Sequence, residues 1–177
     1  MRKGNTFKRC VSMIAVAIVL GLVAVVGQYT ESQAASATAN ATANIITPIT
    51  ITKNTDLRFG TFSPGATTGT VLIATAGTRT ATGGVSLSAL DAGGAAGFTV
   101  TGDTVATYAI TLPTNGTVTI TNGANSMAVN NFVSNPSGTG QLTAGTQNLA
   151  VGATLNVGAN QAAGTYTGIF SVSVDYN

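Results

Sequence analysis

The chain contains no histidine and no tryptophan, a single cysteine, and only 7% charged residues in 177. Each shortage removes a class of function. Without histidine, Ser–His and Cys–His nucleophilic systems cannot be built, and zinc sites of the usual His or Cys kind lose their ligands. Carboxylates are sparse and scattered, so no pair stands out for hydrolysis. D-A-G-G at 91–94 and G-D at 102–103 read as turns, not as a calcium cage, because no further carboxylates cluster beside them. The glycine-rich stretches match neither a phosphate loop nor a dinucleotide fingerprint. The expectation is a protein without catalysis, metal or cofactor.

What is present begins with a leader. Arg2, Lys3, Lys8 and Arg9 form a basic start, Val11 to Val26 is almost wholly apolar, and Q-A-A-S-A offers a small-residue exit. That sequence of regions describes a secretory signal peptide with cleavage after Ala35 or Ala37. The apolar run is shorter than the roughly 20 residues of a spanning helix. Cys10 precedes it, which suits no lipoprotein anchor. The expected organisation is a cleaved signal at 1–37, an extension at 38–46 and one domain at 47–177.

Cleavage changes the charge. The mature chain keeps Lys53, Arg58 and Arg79 against Asp56, Asp91, Asp103 and Asp175, a net −1, although the whole chain carries +2. No basic patch remains to attract phosphates, so nucleic acid is not an expected partner. Cysteine leaves with the signal, and an exported domain without disulfides must rely on its core or its neighbours. Low charge also permits close self-packing, because charge usually keeps proteins apart.

The mature sequence reads as short strands divided by turn residues. Candidates are 43–52, 57–62, 69–75, 84–90, 96–101, 106–112, 117–121, 126–133, 147–157 and 164–176. Between them stand S-P-G at 63–65, G-G at 83–84 and 93–94, P-T-N-G at 113–116, N-G at 122–123 and N-P-S-G at 135–138. This pattern predicts an all-β fold, an immunoglobulin-like antiparallel sandwich. Aromatic residues fall one or two to a strand, as core residues do. Pro48 places the first strand at an edge, at a bulge or at a switch between sheets.

The two ends of the mature chain pose a matching pair of patterns. At the carboxy end, Tyr166, Phe170, Val172, Val174 and Tyr176 share one face of an alternating strand, with no later segment to cover its edge. An uncovered strand invites pairing with another chain. At the amino end, Ala37, Ala39, Ala41, Ala43 and Ile45 occupy alternate positions, with Ser, Thr and Asn between them. As a strand, that segment has one small apolar face and one polar face. Residues 36–46 read either as a flexible tail, the alternation then an accident of low complexity, or as a candidate donor strand, with the carboxy-terminal face the candidate acceptor edge in a neighbouring subunit. A subunit that both gives and receives a strand contacts its neighbours head to tail.

I-I-T-P-I-T-I-T-K, D-L-R-F-G-T-F and V-G-A-N-Q-A-A-G-T-Y-T-G-I-F-S-V-S-V-D-Y-N resemble the bacterial domain-of-unknown-function 4402 family, over about residues 45–177. The A-G-x-Y-x-G ending and D-L-x-F-G at 56–60 are also similar to spore-coat-U-like subunits and archaic chaperone–usher pilins. That second resemblance implies an incomplete sandwich whose last strand pairs first with a periplasmic chaperone and then with the next subunit's extension. It also implies passage through an outer-membrane usher.

The resulting expectation is a secreted structural subunit of a bacterial surface fibre or coat, in a homo-oligomer or among related subunits. It would cross the inner membrane and the periplasm to the cell surface, and keep no membrane anchor. The rival is a self-contained adhesin or carbohydrate-binding module, which the missing tryptophan disfavours. An enzyme ranks third.

Overall fold

The computed structural model describes residues 33–177, so the apolar run of the expected signal lies outside the described residues. Two compact units divide at residues 43 and 44. Within the first, residues 33–43 are exposed and in no strand. Among the described residues there is no helix long and apolar enough to cross a membrane.

The second unit is all β. Its strands are β1 (Thr50–Thr55), β2 (Phe62–Ile73), β3 (Arg79–Leu87), β4 (Ala96–Thr101), β5 (Thr107–Thr111), β6 (Val118–Asn122), β7 (Asn125–Asn135), β8 (Thr139–Gln141), β9 (Thr146–Val157) and β10 (Ser173–Tyr176). Two antiparallel sheets pack together as a sandwich. One has seven strands, with the path β1-β4-β9-β2-β3 and β7 joining β9 to β6; the other is β10-β5-β8. Strand β9 is the spine. Val151 pairs with Ala96 of β4 and Ser134 of β7, while Leu155 pairs with Val71 of β2 and Val129 of β7. So β7 takes one edge of β9, and β4 and β2 share the other end to end.

Period-two alternation explains why β9 can do this. Leu149, Val151, Ala153, Leu155 and Val157 are buried, whereas Asn148, Thr154 and Asn156 face outward beside Thr99, Thr70 and Asn130 of their neighbours. The buried side chains form two clusters. One gathers Phe59, Val71, Ile73, Met127, Val129 and Leu155; the other gathers Val100, Tyr108, Leu142, Leu149 and Val151. Leu57, Phe132 and Phe170 pack against both, and so join them.

Several sequence expectations shift here. The pair Gly83–Gly84, read as a turn, lies inside β3. There the β2–β3 register slips between Pro64 and Gly69, and a Cβ on either glycine would strike the carbonyl oxygens of Thr67 or Thr68. The glycines are the flat spot over which β2 bulges. Residues 57–62, read as a strand, form none before Phe62. The candidate at 43–52 begins only at Thr50, after Pro48, and β1 is an edge strand. N-G at 122–123 does turn the chain, with Asn122 paired to Asn125 around it.

Candidate functional site

Among the described residues, the predicted last strand, 164–176, is paired in two places. Thr167 exchanges backbone hydrogen bonds with Thr121 of β6, at 2.8 and 3.0 Å. Ser173–Tyr176 pairs with β5, and the Asn177 N–H donates to the Thr107 carbonyl at 3.2 Å. The side chains alternate as expected. Tyr166, Phe170, Val172, Val174 and Tyr176 are half-buried against the core, while Ile169 points outward and is 93% exposed.

The backbone of this segment has a parity that matters more. In an extended chain the N–H and C=O of one residue point to the same edge, and those of the next point to the opposite edge. Thr167 and Asn177 both spend theirs on the β6–β5 side. Even-numbered residues between them therefore direct their main-chain groups to the other edge. Among the described residues, β10 has no neighbour on that edge, since it ends the order β10-β5-β8. Among the described residues, none of Gly168 to Val172, odd or even, makes a backbone hydrogen bond to another segment.

That free edge overlooks a groove of about 860 Å³. Residues 161–170 form one wall and residues 53–64 the other. Between the walls lies core surface: Val118 and Ile120 of β6, Met127 and Val129 of β7, and Leu155 of β9.

Both walls are fixed in place. Tyr166 forms a tyrosine corner, its hydroxyl donating to the Ala162 carbonyl at 2.8 Å while accepting from Gln161 Nε2 at 2.9 Å. Gly168 lets the chain lie flat on β6, where a Cβ would crowd Thr119 O and Ile120. This explains Y-x-G as a unit. On the facing wall, D-L-R-F-G-T-F turns Leu57, Phe59 and Phe62 inward, and its backbone is already occupied. Arg58 exchanges hydrogen bonds with Gly94 at 2.9 and 2.7 Å, and the Thr61 N–H donates to the Asp91 carbonyl at 3.1 Å. Arg79 donates to the carbonyls of Phe59 at 3.1 Å, Thr61 at 3.0 Å and Ser88 at 2.6 Å. Arg58 also pairs with Asp91 at 3.2 Å on the surface.

Nothing near Arg79 in the chain announces its role, because it acts across the sheet on main-chain atoms. The groove floor was likewise hidden among ordinary core residues of β6, β7 and β9. Of the candidate donor residues, Ala37, Ala39, Ala41 and Ala43 are exposed and outside any strand, and Ile45 is 94% exposed. The candidate acceptor residues, Tyr166, Phe170, Val172, Val174 and Tyr176, lie along one inward face of the carboxy-terminal segment.

Chemically, the site offers apolar surface and unpaired main-chain groups. Among the described residues, no three His, Cys, Asp or Glu side chains stand together. Fold and site together define an all-β sandwich with a groove bordered by an unpaired carboxy-terminal segment. A family model, a domain of unknown function (DUF4402), matches residues 49–176, and the chain belongs to that family. No curated protein and no solved structure matches the chain.

Proposed function

We propose that this protein is an exported structural subunit that assembles by strand addition, residues 36–46 of one copy entering the groove of the next. The single observation that carries this reading is the row of free main-chain groups along residues 168–172, at the border of an apolar groove. Such an edge is costly to leave bare, and an added strand satisfies it with main-chain hydrogen bonds while its alternate side chains fill the groove. The alternation from Ala37 to Ile45 supplies a strand with one apolar face. Ile45 is its large anchor, and the alanines let the backbone lie close to Phe170 and Val172.

Each copy gives a strand from one part of its surface and receives one at another, so the contact is heterologous and grows a fibre or coat. Until it is filled, the groove needs a holding partner, for which a periplasmic chaperone and an outer-membrane usher are the proposed candidates. The destination is the cell surface.

The test is removal of the arm. Mature protein and a version starting at Thr47 are purified and compared by light scattering and by gel after mild detergent treatment. The proposal expects stable multimers from the first and their loss in the second. Mature protein that is a stable monomer with a fully protected sandwich would contradict it.

A further inference from the structure

We infer that the Tyr176 hydroxyl acts as a positioning group that keeps the amino-terminal arm out of its own groove, and so favours exchange between copies over self-capping. This rests on the strand-addition reading. It starts from where the chain enters the domain. The Tyr176 hydroxyl donates to the Thr47 carbonyl at 2.7 Å and accepts from the Asp103 N–H at 2.6 Å. One side chain thus ties the residue before Pro48, the β4–β5 loop and β10 together at a single pole of the sandwich.

That pole fixes what the preceding residues can do. From Thr47 the chain runs on into β1 and then along the groove wall that begins at Lys53. To fill its own groove, the arm must reverse at residues 44–48 and return beside β1 as a hairpin. Hairpin turns need residues that accept positive φ, most often glycine. N-I-I-T-P-I at 44–49 has no glycine, and Asn44, the one residue there that readily takes positive φ, stands at its far end, three residues before Thr47. Pro48 holds Thr47 in the extended region, and the Tyr176 bond fixes the Thr47 carbonyl in that setting. The ring of Tyr176 packs with the second core cluster, so only its oxygen is free for this task.

Cis and trans filling use the same arm and the same groove, so a modest bias at the hinge decides between them. Tyr176→Phe removes both hydrogen bonds and leaves the ring in place. Only the Thr47 bond is at stake when the arm reverses, and at about 1–1.4 kcal/mol its loss shifts the cis-to-trans ratio by a factor of about 5–10.

The experiment compares mature wild-type and Y176F protein by light scattering and by hydrogen exchange of the arm. The inference expects wild-type multimers and, in Y176F, a monomer fraction raised by a factor of about 5–10, with amides of residues 37–45 protected inside that monomer. A merely structural role for Tyr176 would give a monomer with an unprotected arm, which overturns the inference. Y176F that assembles as wild type does also overturns it, while leaving strand addition standing. Wild-type protein that is monomeric with an unprotected arm removes the underlying reading as well. Removal of residues 36–46 from Y176F must abolish the protection if the arm is its source.

Discussion

Phe132 and Phe170 stack with ring centroids 5.1 Å apart and planes tilted by 40°. Phe132 belongs to β7 in the seven-stranded sheet, and Phe170 lies in the segment that flanks the groove. Because both side chains pack against both core clusters, this pair holds the carboxy-terminal segment onto the sandwich where backbone pairing is missing. The Phe170→Ala variant is expected to lose roughly 2–3 kcal/mol, below the 3–5 of a fully buried phenylalanine because Phe170 is half-exposed. Denaturant unfolding measures this, and Phe170→Leu should recover most of the loss.

Arg58, on the opposite wall, and Arg79 of β3, which holds that wall by its carbonyls, should behave differently. Arg79→Met removes hydrogen bonds to three carbonyls, two of them on the groove wall. It should cost about 2–3 kcal/mol, as for bonds from a charged donor. It should also speed amide exchange at Thr61. Arg58→Ala breaks only an ion pair whose side chains are 59% and 40% exposed, and is expected to cost about 0–1 kcal/mol. Equal effects from the two would contradict the assigned roles.

Tyr108 carries a pH dependence. It is fully buried, its hydroxyl donates to Gln147 Oε1 at 2.7 Å, and burial raises its pKa above the ordinary 10.0. In the unfolded chain this phenol loses its proton near pH 10, while the folded protein still holds it. The unfolded state then binds fewer protons, so stability falls as pH rises. The contribution is complete below about pH 10 and is lost as pH climbs from there through the raised value. Tyr108→Phe should flatten this alkaline slope in denaturant titrations at pH 9 to 11, values chosen to bracket the ordinary phenol (about 10). At neutral pH the same variant loses the Gln147 bond.

Much of the fold could be read from local pattern, and the exceptions share a cause. Strand β4 falls on 96–101 as its alternation predicts, and β9 begins one residue before its predicted start. Both pair along their whole length, so side-chain period and strand coincide. Residues 57–62 have strand-like composition, yet their main-chain groups are taken by Gly94, Asp91 and Arg79. Nothing local announces those partners. Gly83–Gly84 has the composition of a turn and serves as a bulge, because Thr67 and Thr68 of β2 press on it from the next strand. Strand β8, at three residues, is too short to show a period.

The site was legible to the same degree. The inward face from Tyr166 to Tyr176 follows from alternation, and the structure keeps it. The depth of the groove and the direction of the free main-chain groups required knowing that Thr167 and Asn177 pair with Thr121 and Thr107, contacts that span 46 to 70 residues. Alternation in the sequence marks the inward face of the carboxy-terminal segment. Which of its edges is bare is a property of the assembled sheet.

The most direct test of the open edge is amide exchange in protein that starts at Thr47, with and without a peptide of residues 36–46. Alone, the Ser173 and Asp175 amides should be protected by β5, while those of Phe170, Val172 and Val174 exchange freely. Added peptide should slow Phe170, Val172 and Val174 by at least about tenfold, the effect of roughly 1.4 kcal/mol, and leave Ser173 and Asp175 as they were. Protection of the even-numbered amides before any peptide is added, or no change after it, would contradict the account.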